Sequence, residues 1–156
     1  MTLDDWFRTG QTLQLGTHLF TADEIRRFAG KFDPQPFHVD EEAAKSSVFG
    51  GLCASGWHTA SVWMKLNVQH RRDPSEWKGD GLPPKFGPSP GFRDLRWMKP
   101  VFAGQTISYS RKALEHRAVT SRPGWRLLTV EAAAHNEDGA NVLEFFSAVL
   151  VDVSGA

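Results

Sequence analysis

The stretch Ser55–Gln69, SGWHTASVWMKLNVQ, is the most apolar helical segment of the chain. Trp57, Ala60, Met64 and Val68 recur at helical spacing on one face, and Val62, Trp63 and Leu66 extend the apolar surface around the side. A helix that is apolar over most of its circumference is expected to be surrounded by other structure. This segment is therefore the expected centre of the fold.

Downstream, His70 to Ser89 carries Arg71, Arg72 and the prolines 74, 83, 84 and 88, and reads as a long irregular connection. Everything after it reads as strands, at Gly91–Lys99, Gln105–Arg117, Arg126–Glu137 and Asn141–Val153. Leu128, Val130, Ala132 and Ala134 alternate, as do Phe145, Ser147, Val149 and Val151, and Asp138-Gly139 supplies a hairpin turn between the two runs. Upstream, Gln11–Phe20 has the alternation of a half-buried strand. Thr21-Ala22-Asp23-Glu24 is a capping box for a short helix that closes near Gly30, and Asp40 is placed to cap another at Glu41–Ser46. One long helix followed by an antiparallel meander gives an α+β class in which a sheet wraps around a helix. With no repeats, linkers or low-complexity tracts, residues 1–156 are expected to form a single domain.

The 156 residues suffice to bury about 70% of the surface of the unfolded chain. Eighteen basic residues balance eighteen acidic ones, so the global field gives no reason to expect nucleic acid or an anionic membrane as partner. The single Cys53 excludes an internal disulfide and, with no Cys/His set at structural-zinc spacing, fits a reducing compartment. The N-terminus lacks the features of a secretion signal and no apolar run approaches a membrane span, so a cytoplasmic protein is expected.

Phe32–Asp40, FDPQPFHVD, holds Asp33 and His38 five positions apart on a segment stiffened by Pro34 and Pro36. An Asp before Pro is commonly a turn residue, and a lone His commonly a packed side chain. The joint pattern, followed by the small-residue entry Ala54-Ser55-Gly56 into the central helix, favours chemistry instead.

The run Phe28–Gly56 resembles the MaoC-like dehydratase and (R)-specific enoyl-CoA hydratase family of hot-dog folds, whose D-x-N-P-x-H motif has the same Asp and His spacing. Gly91–Ile107, GFRDLRWMKPVFAGQTI, is similar to that family's strand leading into its Pro-x-x-x-Gly-Asp-type turn. Gln35 stands where the motif has Asn, one methylene longer, and Gln105 stands where the turn usually has Asp. The resemblance implies a hot-dog fold and reversible hydration of a 2-enoyl-CoA, with coenzyme A entering only as part of the substrate.

Adding water across a 2-enoyl thioester requires a base for the water, a proton for Cα and a donor for an enolate-like oxygen. The resemblance implies that Asp33 and His38 share the water; which of them is the base stays open. Ser55, as cap of the central helix, leaves orphan amides at a positive helix end, and Gly56 is the expected oxyanion donor because a carbonyl can approach it closely. Gln35 and Ser55 are expected to support the site. Coenzyme A phosphates would need local cations, for which Arg71, Arg72, Arg93, Arg96 and Lys99 are the candidates. The plain alternative is that Arg71 and Arg72 complement the helix dipole and the rest face solvent.

His58, one turn into the helix, is expected to pack or cap. His18, His70, His116 and His135 are read as surface or packing residues, and Cys53 as a buried packing residue. Asp40 and Glu41 are explained as helix-start residues beside His38, so no metal is expected. A hot-dog acyl-CoA thioesterase is disfavoured because no acidic residue lies between Glu42 and Asp73. In a non-catalytic acyl-CoA-binding domain the Asp33/His38 pair would be needless. The resemblance further implies at least a homodimer, since a single sheet around one helix leaves an edge and a groove to cover.

Overall fold

A computed structural model describes residues 1–156. The order of elements is α1 (Leu3–Phe7), β1 (Thr12–Leu19), α2 (Ala22–Phe32), α3 (Pro36–Val39), α4 (Glu41–Lys45), α5 (Gly56–Gln69), a 3-10 turn at Pro74–Glu76, β2 (Lys85–Phe86), β3 (Gly91–Trp97), β4 (Thr106–Ala118), β5 (Trp125–His135) and β6 (Asn141–Asp152). The strands form one antiparallel sheet in the order β1-β4-β5-β6, and both β2 and β3 pair with the far side of β6. No helix is long and apolar enough to cross a membrane.

The central helix lies where the sequence places it, with Ser55 as its cap. Trp63 anchors it to the sheet. Its indole is fully buried, donates to the Ser110 carbonyl of β4 at 2.9 Å and meets Phe145 of β6 edge-on at 4.9 Å. The Tyr109 hydroxyl donates to the Thr59 carbonyl at 3.1 Å, a second tie between helix and sheet. The α+β arrangement of a sheet around a long helix is thus borne out.

The buried side of α5 differs from the expectation. His58, Thr59, Val62 and Trp63 are buried, whereas Trp57, Met64 and Val68 are 50%, 41% and 46% exposed. One sheet covers only one side of the helix, so the remaining apolar stripe faces outward in a single chain.

Three short elements were not read from the sequence. Thr2 and Asp5 form a reciprocal capping box for α1, whose Trp6 and Phe7 are buried. Pro36 opens α3, because proline is favoured at a first helical position even though it stiffens extended chain elsewhere. Lys85 and Phe86 pair with β6 inside the stretch expected to be wholly irregular. The Thr21 box is only half formed: Thr21 accepts from the Glu24 amide at 3.2 Å, but the Glu24 carboxylate turns to His18 instead, and α2 continues past Gly30 to Phe32. At the β5–β6 hairpin Gly139 has φ +78°, and the Asn136 side chain accepts from the Asp138 and Ala140 amides.

Candidate active site

Asp33 is the residue after the last turn of α2, where its amide donates to the Ala29 carbonyl at 2.9 Å and Pro34 blocks further helix. The chain turns through Gln35 into α3, which carries His38 back towards Asp33. The opposite wall comes from residues 52–54, pinned antiparallel to residues 101–103 by the Ala54 amide to the Val101 carbonyl at 2.8 Å and the Ala103 amide to the Leu52 carbonyl at 3.0 Å. That pinning delivers Ser55 and the start of α5 to the Asp33–His38 pair.

Asp33 Oδ2 lies 3.4 Å from His38 Nε2 and accepts from the Ser55 hydroxyl at 2.7 Å, while Oδ1 accepts from the Gln35 amide at 2.7 Å. Gln35, one methylene longer than the motif's Asn, therefore holds the carboxylate directly. His38 Nδ1 is 2.6 Å from the Cys53 carbonyl. A carbonyl only accepts, so Nδ1 carries a proton, and Nε2 is the ring atom presented to Asp33 and the cleft. Desolvation pushes the Asp33 carboxyl up, but the hydrogen bonds from Gln35 and Ser55 and the His38 charge together outweigh it and hold its pKa below the usual aspartate value.

Ser55 is fully buried and also accepts from the Trp57 amide at 3.3 Å, so one hydroxyl caps α5 and orients the carboxylate. Ser55→Ala is expected to cost about 1–2 kcal/mol through the lost cap. It also removes a donor from the ionised Asp33, which moves that pKa up. Because a depressed carboxyl pKa contributes stability that is lost as pH falls through the folded value, the variant's stability should depend less on acid. Thermal melts over the acid range with NMR titration of Asp33 check both effects; an unmoved Asp33 titration would contradict the assignment.

The Gly56 amide donates to no protein group and borders the cleft. Glycine is required there for a reason the sequence did not disclose: a Cβ would lie 2.6 Å from Trp97 Nε1, inside the indole that covers this residue. Trp97 in turn meets Trp57 edge-on at 5.0 Å. The resulting cleft has a volume of about 420 Å³ and is walled by Phe37, Phe49, Trp97, Met98, Val101 and Val142 around the polar pair. Cys53 is buried 3.7 Å from His38 Nδ1, and burial pushes its thiol up to about 11, so it serves the site through its carbonyl rather than as a thiolate.

Of the five basic candidates, only Lys99 lines this cleft. Arg96 is exposed on β3, and Arg93 lies over the Phe146 ring at 4.2 Å and bonds Asp94 at 2.7 Å. Arg71 and Arg72 stand beyond the far end of α5, over Phe86 and Trp6. Fourteen residues at about 1.5 Å each separate them from Gly56 within one chain.

His18, read as a surface or packing residue, and His58, expected to pack or cap, meet at Glu24. His18 Nε2 lies 2.9 and 3.0 Å from the two Glu24 oxygens, and His58 Nε2 lies 3.5 Å from Oε1. These are donor types that a metal accepts, but both carboxylate oxygens are taken up by His18, and the buried Nδ1 of His58 has no carbonyl or carboxylate to hold it as a metal-bound ring would require. The cluster instead pins α2 to α5, with Phe28 stacked on His58 at 4.5 Å and 6°. Burial lowers the His58 pKa despite Glu24. The missed contributors were Trp97 and the Cys53 carbonyl; the former lay in the second similar segment, and the latter is backbone that no side-chain pattern reveals.

Residues 7–132 match the family model described as "MaoC like domain". The chain is 30% identical over 151 residues to the uncharacterised protein YdeM of Bacillus subtilis, covering 97% of this chain and 99% of that one. Among solved structures it is similar to the MaoC-like dehydratase from Rhodospirillum rubrum, at 33% identity and a TM-score of 0.81 over 98% of this chain and 97% of that chain. The (R)-hydratase from A. caviae involved in PHA biosynthesis shares the fold at 22% identity and a TM-score of 0.66, over 90% and 94% of the two chains.

Proposed function

This chain belongs to the MaoC-like domain family, and on that premise we propose that residues 1–156 form a single-domain hydro-lyase that reversibly hydrates a 2-enoyl-CoA to a 3-hydroxyacyl-CoA. The observation that carries the reading is the Asp33–His38 pair facing a cleft beside the unpartnered Gly56 amide. The relative from Rhodospirillum rubrum, named a MaoC-like dehydratase, supports it.

A water bridging Asp33 Oδ2 and His38 Nε2 sits within hydrogen-bond reach of both. One of the pair takes a proton from it, the oxygen adds to C3 of the enoyl group, and the electron pair of the double bond moves towards the thioester oxygen. The Gly56 amide, at the positive end of α5, stabilises that oxygen. The pair then returns a proton to C2, so water is added in full and nothing is left on the protein. Coenzyme A is part of the substrate, with no separate cofactor or metal in the step, and Lys99, which lines the cleft, is the cation offered to it.

The test offers a short 2-enoyl-CoA to the purified chain and follows conjugated thioester absorbance alongside free thiol. Loss of absorbance without thiol is expected. Thiol release would favour a thioesterase, and neither change at any chain length would favour an acyl-binding domain.

The assembly proposed is a homodimer. Trp57 and Met64 on α5 line one apolar groove with exposed Phe92 on β3, Val68 is exposed further along α5, and β3 pairs on one side only. Light scattering should give at least twice the 17.4 kDa chain mass; a monomer at micromolar concentration would contradict this.

A further inference from the structure

Beyond the C-terminal end of α5, remote from the cleft, four arginines line one small, partly enclosed pocket. They are Arg8 after α1, Arg71 and Arg72 after α5, and Arg111 on β4. No carboxylate lines the pocket and none of the four forms an ion pair. Asp5, close enough for its carboxylate to feel Arg72, is taken up by the Thr2 amide and hydroxyl at 2.8 Å each.

Aromatic faces orient the cations without neutralising them: Arg71 lies 4.7 Å from the centre of Phe86 and Arg72 lies 5.5 Å from that of Trp6. Each guanidinium carries five donors, yet protein groups engage only Arg111, with Asn67 at 2.9 Å, and Arg72, with the Met1 sulfur at 3.7 Å. Arg72 Nε is buried with no partner. Burial, and then the charges of Arg8 and Arg71, push the Arg111 pKa down, as expected for cations crowded together without a counter-ion. The C-terminus of α5 offers about half a negative charge, too little to offset four cations.

We propose that this pocket binds a phosphate group, with Arg8, Arg71, Arg72 and Arg111 as its ligands. Planar guanidinium forks match the oxygens of phosphate in pairs, and a dianion supplies the charge that the protein omits. At about 20 Å³ the enclosed part holds little more than one water, so the phosphate, free or at the end of a larger molecule, sits at the pocket's partly open mouth. The inference stands apart from the hydratase reading, because it uses no residue of the cleft.

The experiment compares melting midpoints of the full chain in inorganic phosphate, in adenosine 3′,5′-bisphosphate and in chloride, all at one ionic strength. At tenfold above its Kd, phosphate should raise the midpoint by about 3–6 °C over chloride. Arg111→Gln relieves repulsion but gives up the bond to Asn67, so its phosphate response is read against its own midpoint in chloride and should be lost; Arg8→Gln, which breaks no protein side-chain bond, serves as a second variant should the first fail to fold. A bisphosphate response at lower concentration than phosphate, also lost in the variant, assigns a nucleotide source, and an equal or weaker one assigns free phosphate. No response to either anion beyond chloride, or a response intact in both variants, overturns the proposal.

Discussion

Asp33→Asn is expected to lower hydration of a 2-enoyl-CoA by about 10²–10⁴-fold, the usual contribution of a positioned acid or base. The amide keeps the size of the carboxylate, and its oxygen can still accept from either Ser55 or Gln35, so the loop that holds it need not move. What it loses is the ability to carry a proton between water and C2. His38→Ala should fall in the same range, because it removes the only ring nitrogen facing Oδ2 while leaving the Cys53 carbonyl free to bind water. If the two groups act on one water, the double variant should be barely slower than the worse single one, since residues that act as a unit lose their effect together. The melting midpoints of all three separate lost chemistry from lost fold, and an Asp33→Asn protein of near-parental activity and stability would rule the mechanism out.

The second large effect concerns the fold. Trp63→Ala should destabilise the chain by about 3–5 kcal/mol, the range for removing a large buried aromatic side chain. Its ring fills the space between α5 and the sheet, its N–H satisfies the Ser110 carbonyl and it packs edge-to-face with Phe145. For a chain of this size the midpoint should fall by about 6–20 °C. Trp57→Ala on the same helix makes the contrast. At 50% exposure it belongs to the face proposed for the dimer, so its effect should appear chiefly in subunit association. Equal destabilisation by the two variants at low concentration would contradict the orientation of α5.

The alternation in β5 and β6 and the small-residue entry into α5 were legible because each depends on neighbours in the chain. The same holds for the Asp33–His38 spacing: the turn through Pro34 and Pro36 is local, and it alone returns His38 to Asp33. What the sequence withheld was mostly long-range. The outward stripe of α5 is apolar, so periodicity alone could not tell it from the core, and only the sheet's position decides which side is covered. His18, Glu24 and His58 come from β1, α2 and α5, and Glu24 gave a reasonable capping box until His18 competed for its carboxylate. Arg71 and Arg72 were read beside a helix end, but the partners that define their pocket lie far off in the chain, Arg8 just after α1 and Arg111 on β4. Gly56 illustrates a subtler case: the residue was singled out for an approaching carbonyl, while the structure shows Trp97 occupying the space a Cβ would need.

Isotope placement tests the central claim most directly. With a 2-enoyl-CoA in water enriched in oxygen-18, the account predicts an intact thioester whose 3-hydroxyl carries the label, formed by the parent protein and not by Asp33→Asn or His38→Ala. Label in a free carboxylate with release of coenzyme A, or a labelled 3-hydroxyl formed equally well by both variants, would contradict it.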